Sequence, residues 1–191
     1  EREIAHTRTL YPQARYIGVA DGAASNWRFL KAHTDKQILD FYHASGYLAS
    51  AAHAAFPRHA AKRQQWLDEH CHQLKHTQRA AGRILTELQR LAEQPLSAPV
   101  REKLNAAITY FRNHKHQMNY AHYRTQALPI GSGVTEAACK TLVKQRLCHS
   151  GMKWKEQGAR VVLSLRALVL TAGRWAQFWD KINQYGVPQV A

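Results

Sequence analysis

A chain of 191 residues, 45% of them hydrophobic, can build one ordinary domain or one domain carrying an insertion, which excludes wholesale disorder. Lys and Arg number 27 against 13 Asp and Glu, a formal charge of +14, so the expected partner is a polyanion and above all nucleic acid, whose condensed counterions are released when phosphates are neutralised. No stretch approaches the roughly 20 apolar residues of a membrane span, and the three scattered cysteines, Cys71, Cys139 and Cys148, suggest a reducing compartment rather than a disulfide framework.

The chain opens on Glu1-Arg2-Glu3, with neither an initiator Met nor the apolar core of a signal peptide, and reads as cut from something longer. Glu1 and Glu3 fall in what reads as a helix end. Tyr16 to Ala20 is a short apolar run closed by Asp21-Gly22, the pattern of a buried strand followed by a turn. A short helix follows around Asn26 to Leu30, and Gln37 to His43 reads as a second strand. Two short strands around a helix form a βαβ unit with a parallel sheet.

From about Tyr47 to Tyr123 the pattern is helical. Leu67, Leu74, Ile84, Leu85, Leu88 and Leu91 fall at helical spacing as one stripe, Pro57, Pro95 and Pro99 mark breaks, and a further helix runs through Leu104, Ile108 and Phe111. Most of the twelve histidines lie here, among them His53, His59, His70, His72, His76, His114, His116 and His122, and their spread suggests solvated faces or phosphate contacts. Ala127 to Gly133 is a loop by composition. A helix then starts near Val134 and carries Glu136, Cys139, Lys140, Lys144 and Arg146 until Ser150-Gly151 interrupts it. The last strongly helical segment spans Glu156 to Leu170, with an aromatic tail from Gly173 to Trp179. Trp154, Trp175, Phe178 and Trp179 are expected in the core, and Cys139 as a small buried residue.

Three carboxylates stand where chemistry can use them. Asp21 and Asp40 end the two strands, and Glu136 lies one turn into a helix after a glycine loop. Parallel strands bring their C-terminal ends to one edge of the sheet, where ligands bind. Converging carboxylates repel and require a cation, and an all-oxygen site suits Mg2+ or Mn2+. Each residue has a plainer use: Asp before Gly as a turn residue, Glu in a first turn as a partner of the helix dipole. Asp40, inside an apolar run, needs a partner if buried. His43 is either a core imidazole or a polar group that orients the site. Lys140 and Lys144 share a helical face with Glu136, and Arg146, Lys153 and Lys155 follow, a set placed to hold phosphates or else a solvated face. A zinc site around Cys71 and His72 has poor ligand spacing.

Val19-Ala20-Asp21-Gly22-Ala23 with Trp27, then Ile38-Leu39-Asp40-Phe41-Tyr42-His43, resembles a stretch of the bacterial insertion-sequence transposases of the ISKra type. So do Pro129 to Lys140, Val143 to Leu147, Ser150 to Trp154, Gly158-Ala159, Leu165 to Ala167 and Trp175 to Trp179, in order along nearly the whole chain. The resemblance implies an α/β fold, a partial RNase H-like (retroviral-integrase-like) core with a large all-α insertion, predominantly helical overall. Its segments would be strands over 1–45, the helical insertion over 46–126 and the closing helices of the core over 127–191. It implies a DDE transposase acting on insertion-sequence ends and target DNA with two Mg2+ or Mn2+ ions, working as a homo-oligomer in the bacterial cytoplasm, associated with the nucleoid. On this likeness Asp21 is the second Asp of the triad and Glu136 its Glu, with Asp40 and His43 as a D-x-x-H pair. Asp21 is the favoured metal ligand, and Asp40 stays open as the alternative. The family's first Asp should lie upstream, and none of the 20 residues before Asp21 is an Asp. The competing expectation is a basic transposase remnant that binds nucleic acid without catalysis.

Overall fold

The computed structural model describes residues 2–187, and Glu1 lies outside them. The described chain is predominantly helical with one small parallel sheet, and it divides into two compact units, the first ending at Ser132 and the second starting at Gly133.

In the first unit, helix α1 (Arg2–Leu10) precedes strand β1 (Ile17–Ala20), helix α2 (Ala24–His33) and strand β2 (Lys36–Leu39). β1 and β2 pair in parallel, with Ile17 opposite Lys36 and Ala20 opposite Leu39. This is the expected βαβ unit. The second strand is shorter than the apolar run suggested, because the chain turns at Asp40. The Asp40 carboxylate accepts the His43 N–H and caps helix α3 (Phe41–Ala55), so Phe41, Tyr42 and His43 are helical. The periodicity shows why: Phe41, Ala44, Leu48, Ala51 and Ala52 are buried at helical spacing, which a strand would split between two faces.

Helices α4 (Ala60–His76), α5 (Ala80–Ala92), α6 (Ala98–His114) and α7 (Tyr120–Thr125) complete the first unit. Pro57 lies in the turn before α4, and Pro99 in the first turn of α6. The leucine stripe belongs to two helices. Leu67 and Leu74 sit on α4 and the rest on α5, and left-handed Arg79 makes the corner between them. α3 packs on α4 and α6, α5 on α6, and α4 on α7. One core joins them, with Ile38 and Leu39 of β2 touching the same cluster as Leu48, Leu88, Leu104, Phe111 and Tyr120. α3 runs straight through positions 45–46, so the strand-bearing and helical segments share that core.

In the second unit, helix α8 (Gly133–Cys139) passes through a π-helical turn (Lys140–Lys144) into the short helix α9 (Gln145–Leu147), and α10 (Glu156–Leu170) and α11 (Arg174–Tyr185) follow. Arg166 of α10 donates to the carbonyls of Thr141 (2.6 Å) and Leu142 (3.0 Å) in the wide turn. Trp154, Trp175 and Trp179 are exposed and Phe178 half-exposed, not core, and Cys139 is exposed as well. Their apolar spacing is helical, but α10 and α11 contain no buried residue. No described helix is long and apolar enough to cross a membrane.

One histidine departs from the solvated pattern. His70 is buried on α4 and stacks on Trp66, ring centroids 3.8 Å apart. Its Nδ1 lies 2.7 Å from the Trp66 carbonyl, an acceptor, and its Nε2 lies 2.9 Å from Glu87 Oε2 on α5. Both nitrogens thus face acceptor oxygens. Trp66 Nε1 donates to Glu87 Oε1 (3.0 Å). Burial pushes the Glu87 carboxyl up, but the hydrogen bonds from His70 and Trp66 outweigh it and hold the group below its ordinary value of 4.5. A depressed carboxyl stabilises the fold above that value, and the contribution fades as pH falls through the folded-state value. In urea melts at pH 7, Glu87→Gln should cost about 1–2 kcal/mol, the lower part of the range for a charge-assisted hydrogen bond because a third of the side chain meets solvent. The gap between variant and wild type should narrow below pH 4.

Candidate functional site

The register that pairs Ala20 with Leu39 makes Asp21 and Asp40 the next residues of adjacent strands. Adjacent strands run about 4.8 Å apart, so the two aspartates leave the same sheet edge side by side. The Asp40 N–H donates to the Ala20 carbonyl (2.7 Å) and continues the ladder to that point.

The two carboxylates differ in what surrounds them. Asp40 is 1% exposed. Its Oδ1 accepts the His43 N–H (2.9 Å) and lies 3.3 Å from His43 Nδ1, and its Oδ2 accepts the Ser132 N–H and the Ser132 hydroxyl (2.7 Å). Burial raises the carboxyl, but hydrogen bonds from Ser132 and His43 outweigh it and hold Asp40 below its ordinary 3.8. The partner that a buried carboxylate requires is therefore supplied twice over. Ser132 escaped notice in the sequence because it sits 92 residues away in a segment that reads only as a loop.

Asp21 is half-buried and more open. Oδ1 accepts from Ala23 N (3.1 Å) and Asn26 Nδ2 (2.9 Å), while no described group donates to Oδ2. The Ala23 N–H is the main cause holding the carboxyl below its ordinary value. Burial opposes it, and Asn26 and the nearby His43 add to the lowering. Both aspartates are thus ionised at neutral pH. Asn26 is the second residue that sequence reasoning missed, visible only as a helix opening.

The turn that carries Asp21 is braced from α6. Tyr110 donates its hydroxyl to the Asp21 carbonyl (2.7 Å) and stacks on Tyr47 of α3 at 3.8 Å. Gly22 adopts φ +99, and a Cβ there would meet the Tyr110 ring at 3.1 Å and His114 Nε2 at 3.3 Å. Only glycine fits that backbone and that space. The Ser132 loop is held as firmly: the Phe41 N–H donates to the Ile130 carbonyl (2.8 Å), and a Cβ on Gly131 would lie 2.9 Å from the Tyr42 ring. His43 is exposed, so it is not a core imidazole, and its Nδ1 lies beside Asp40.

The second unit holds the other expected residues. Glu136 is exposed in the first turn of α8. With Lys140, Lys144 and His149 it lines a cleft of about 640 Å³, so the expected shared face exists. Arg146, Lys153 and Lys155 are exposed, and the Arg146 guanidinium lies 5.4 Å from the centre of the Trp154 ring. Cys71 is half-buried, its thiol pushed up by burial and by Asp68, and His72 stacks on His76.

The chain matches no protein-family model, no curated protein and no solved structure.

Different roles for the two aspartates lead to different costs. Asp40→Ala removes a helix cap and leaves buried donors unpaired, so it should lower stability by roughly 3–5 kcal/mol. Asp21→Asn keeps an oxygen for Ala23 and should cost less than about 1 kcal/mol. Urea titration at pH 7 reads both. The Asp40 contribution is present above pH 3.8 and is lost as pH falls further, so the two variants should converge in acid.

Proposed function

We propose that this chain carries part of the catalytic domain of a DDE-type DNA transposase of the ISKra type, with an RNase H-like core around the strands. Asp21 and Glu136 are the carboxylates that hold divalent cations, and Asp40 with His43 orders the site. The observation that carries the reading is the in-register exit of Asp21 and Asp40 from two parallel strands, at the edge where α/β sheets bind ligands.

The donor chemistry suits the cation. Asp21 offers an ionised carboxylate with one oxygen spoken for and the other open to a hard ion such as Mg2+ or Mn2+. Asp40 is more enclosed, since both its oxygens already accept, from His43 and Ser132. This favours Asp21 over Asp40 as ligand. Two such ions, when bound, would stabilise the attacking and leaving oxygens of a phosphodiester displacement. The chain's own groups hold the Asp21 turn rigid (Asn26, Tyr110) and present phosphate-binding ammonium groups (Lys140, Lys144) along the helix that bears Glu136.

The competing reading, a basic remnant that binds DNA without metal chemistry, separates in one experiment. Fluorescence anisotropy of a labelled DNA duplex should show salt-sensitive binding that Mn2+ tightens. Asp21→Asn and Glu136→Gln should each abolish the Mn2+ effect and keep the salt-sensitive part. Lys140→Ala with Lys144→Ala should instead flatten the plot of log affinity against log salt by about 2, near one unit per lost phosphate contact. Binding indifferent to Mn2+ in the wild type leaves the remnant reading, and no binding at low salt ends both.

A further inference from the structure

Glycine inside a helix is unfavourable unless something needs the space. Gly46 lies in the interior of α3, and no heavy atom comes within 4 Å of where its Cβ would be. Neither close packing nor a positive φ accounts for it. What the missing side chain does is keep a groove open. Tyr42, His43, Gly46, Tyr47 and Ser50 line a hollow of about 350 Å³ along one face of α3, with Gly46 as its floor. Tyr42 rests against Gly131 on one side and is otherwise 68% exposed, so one part of its ring is open to a ligand. Tyr47 stacks on Tyr110, whose hydroxyl holds the Asp21 carbonyl, and His43 lies 3.3 Å from Asp40. The groove therefore opens next to the carboxylate edge.

We infer that this groove is a stacking subsite for one unpaired nucleobase of bound DNA, with Tyr42 as its aromatic wall and Gly46 as the floor that admits the ring. The inference rests on the DNA reading above. A flat, mostly apolar ligand suits an aromatic wall beside a bare stretch of helix, and stacking on aromatic rings is sequence-tolerant because every base has a π-face. The charge of +14 supplies the attraction for the backbone that carries the base. Imidazole at His43 and hydroxyl at Ser50 stand at the groove's margin for the base's polar edge.

The test uses the full chain and two fluorescein-labelled single strands of equal length, one intact and one abasic throughout. The wild type should bind the intact strand at least about five- to a hundredfold more tightly, the range for one stacked base. Gly46→Leu places a side chain in the groove, and its Cβ meets no neighbour within 4 Å, so its thermal midpoint should hold while its binding of the intact strand weakens by that factor and its binding of the abasic strand stays as in the wild type. Tyr42→Ala should do the same and Tyr42→Phe should restore binding, which keeps the test valid if Gly46→Leu fails to fold. Equal wild-type binding of the intact and abasic strands, or full affinity in both Gly46→Leu and Tyr42→Ala, overturns the subsite and leaves the transposase reading standing. A wild-type chain with no DNA affinity overturns both.

Discussion

The Asp40 carboxylate organises the first unit. It stands where β2 ends, starts α3 by accepting the His43 N–H, and holds the distant Ser132 through two hydrogen bonds. A charge buried to this depth survives only if its lone pairs are filled, and here strand, helix and loop each bring a donor or a neighbour to it. Because the partners lie 3 and 92 residues away, one ionised group fixes both where the helical region begins and where the first unit ends.

That constraint leaves Asp21 free for a different task. Its turn is braced from outside by Tyr110 and by the tight fit at Gly22, while its carboxylate keeps an oxygen with no described donor. Two neighbouring aspartates of the same chemical type thus differ by environment alone, one enclosed by donors and the other partly open. His43 Nδ1 lies 3.3 Å from the Asp40 carboxylate, and His43 also helps to hold the Asp21 carboxyl down. Stacking of Tyr47 on Tyr110 carries the brace to α3, so the groove over Gly46 and the Asp21 turn rest on the same rings.

Local signals made much of this legible. Strand β1, the turn at Asp21-Gly22, the break at Pro95 to Pro99 and the helix from Glu156 to Leu170 follow from apolar period and punctuation. The second strand was overextended because Phe41, Tyr42 and His43 continue an apolar run, and a capping aspartate looks the same in sequence as a strand-end ligand. Ser132, Asn26, Tyr110 and His114 gave no warning, since their roles depend on contacts across the fold. The aromatic residues of α10 and α11 and their approaches looked like core by composition and are largely exposed, because composition does not say what a helix packs against.

The proposal that Asp21 and Glu136 each hold a divalent cation is tested most directly by localised cleavage. Iron(II) in place of Mg2+, with ascorbate and peroxide, generates radicals that cut the backbone beside the bound ion, and mass spectrometry locates the cuts. Cuts near residues 21 and 40 that Asp21→Asn suppresses, and cuts near residue 136 that Glu136→Gln suppresses, both competed by excess Mg2+, are the expected result. No cuts near 21, or cuts there that persist in Asp21→Asn, would refute the proposal.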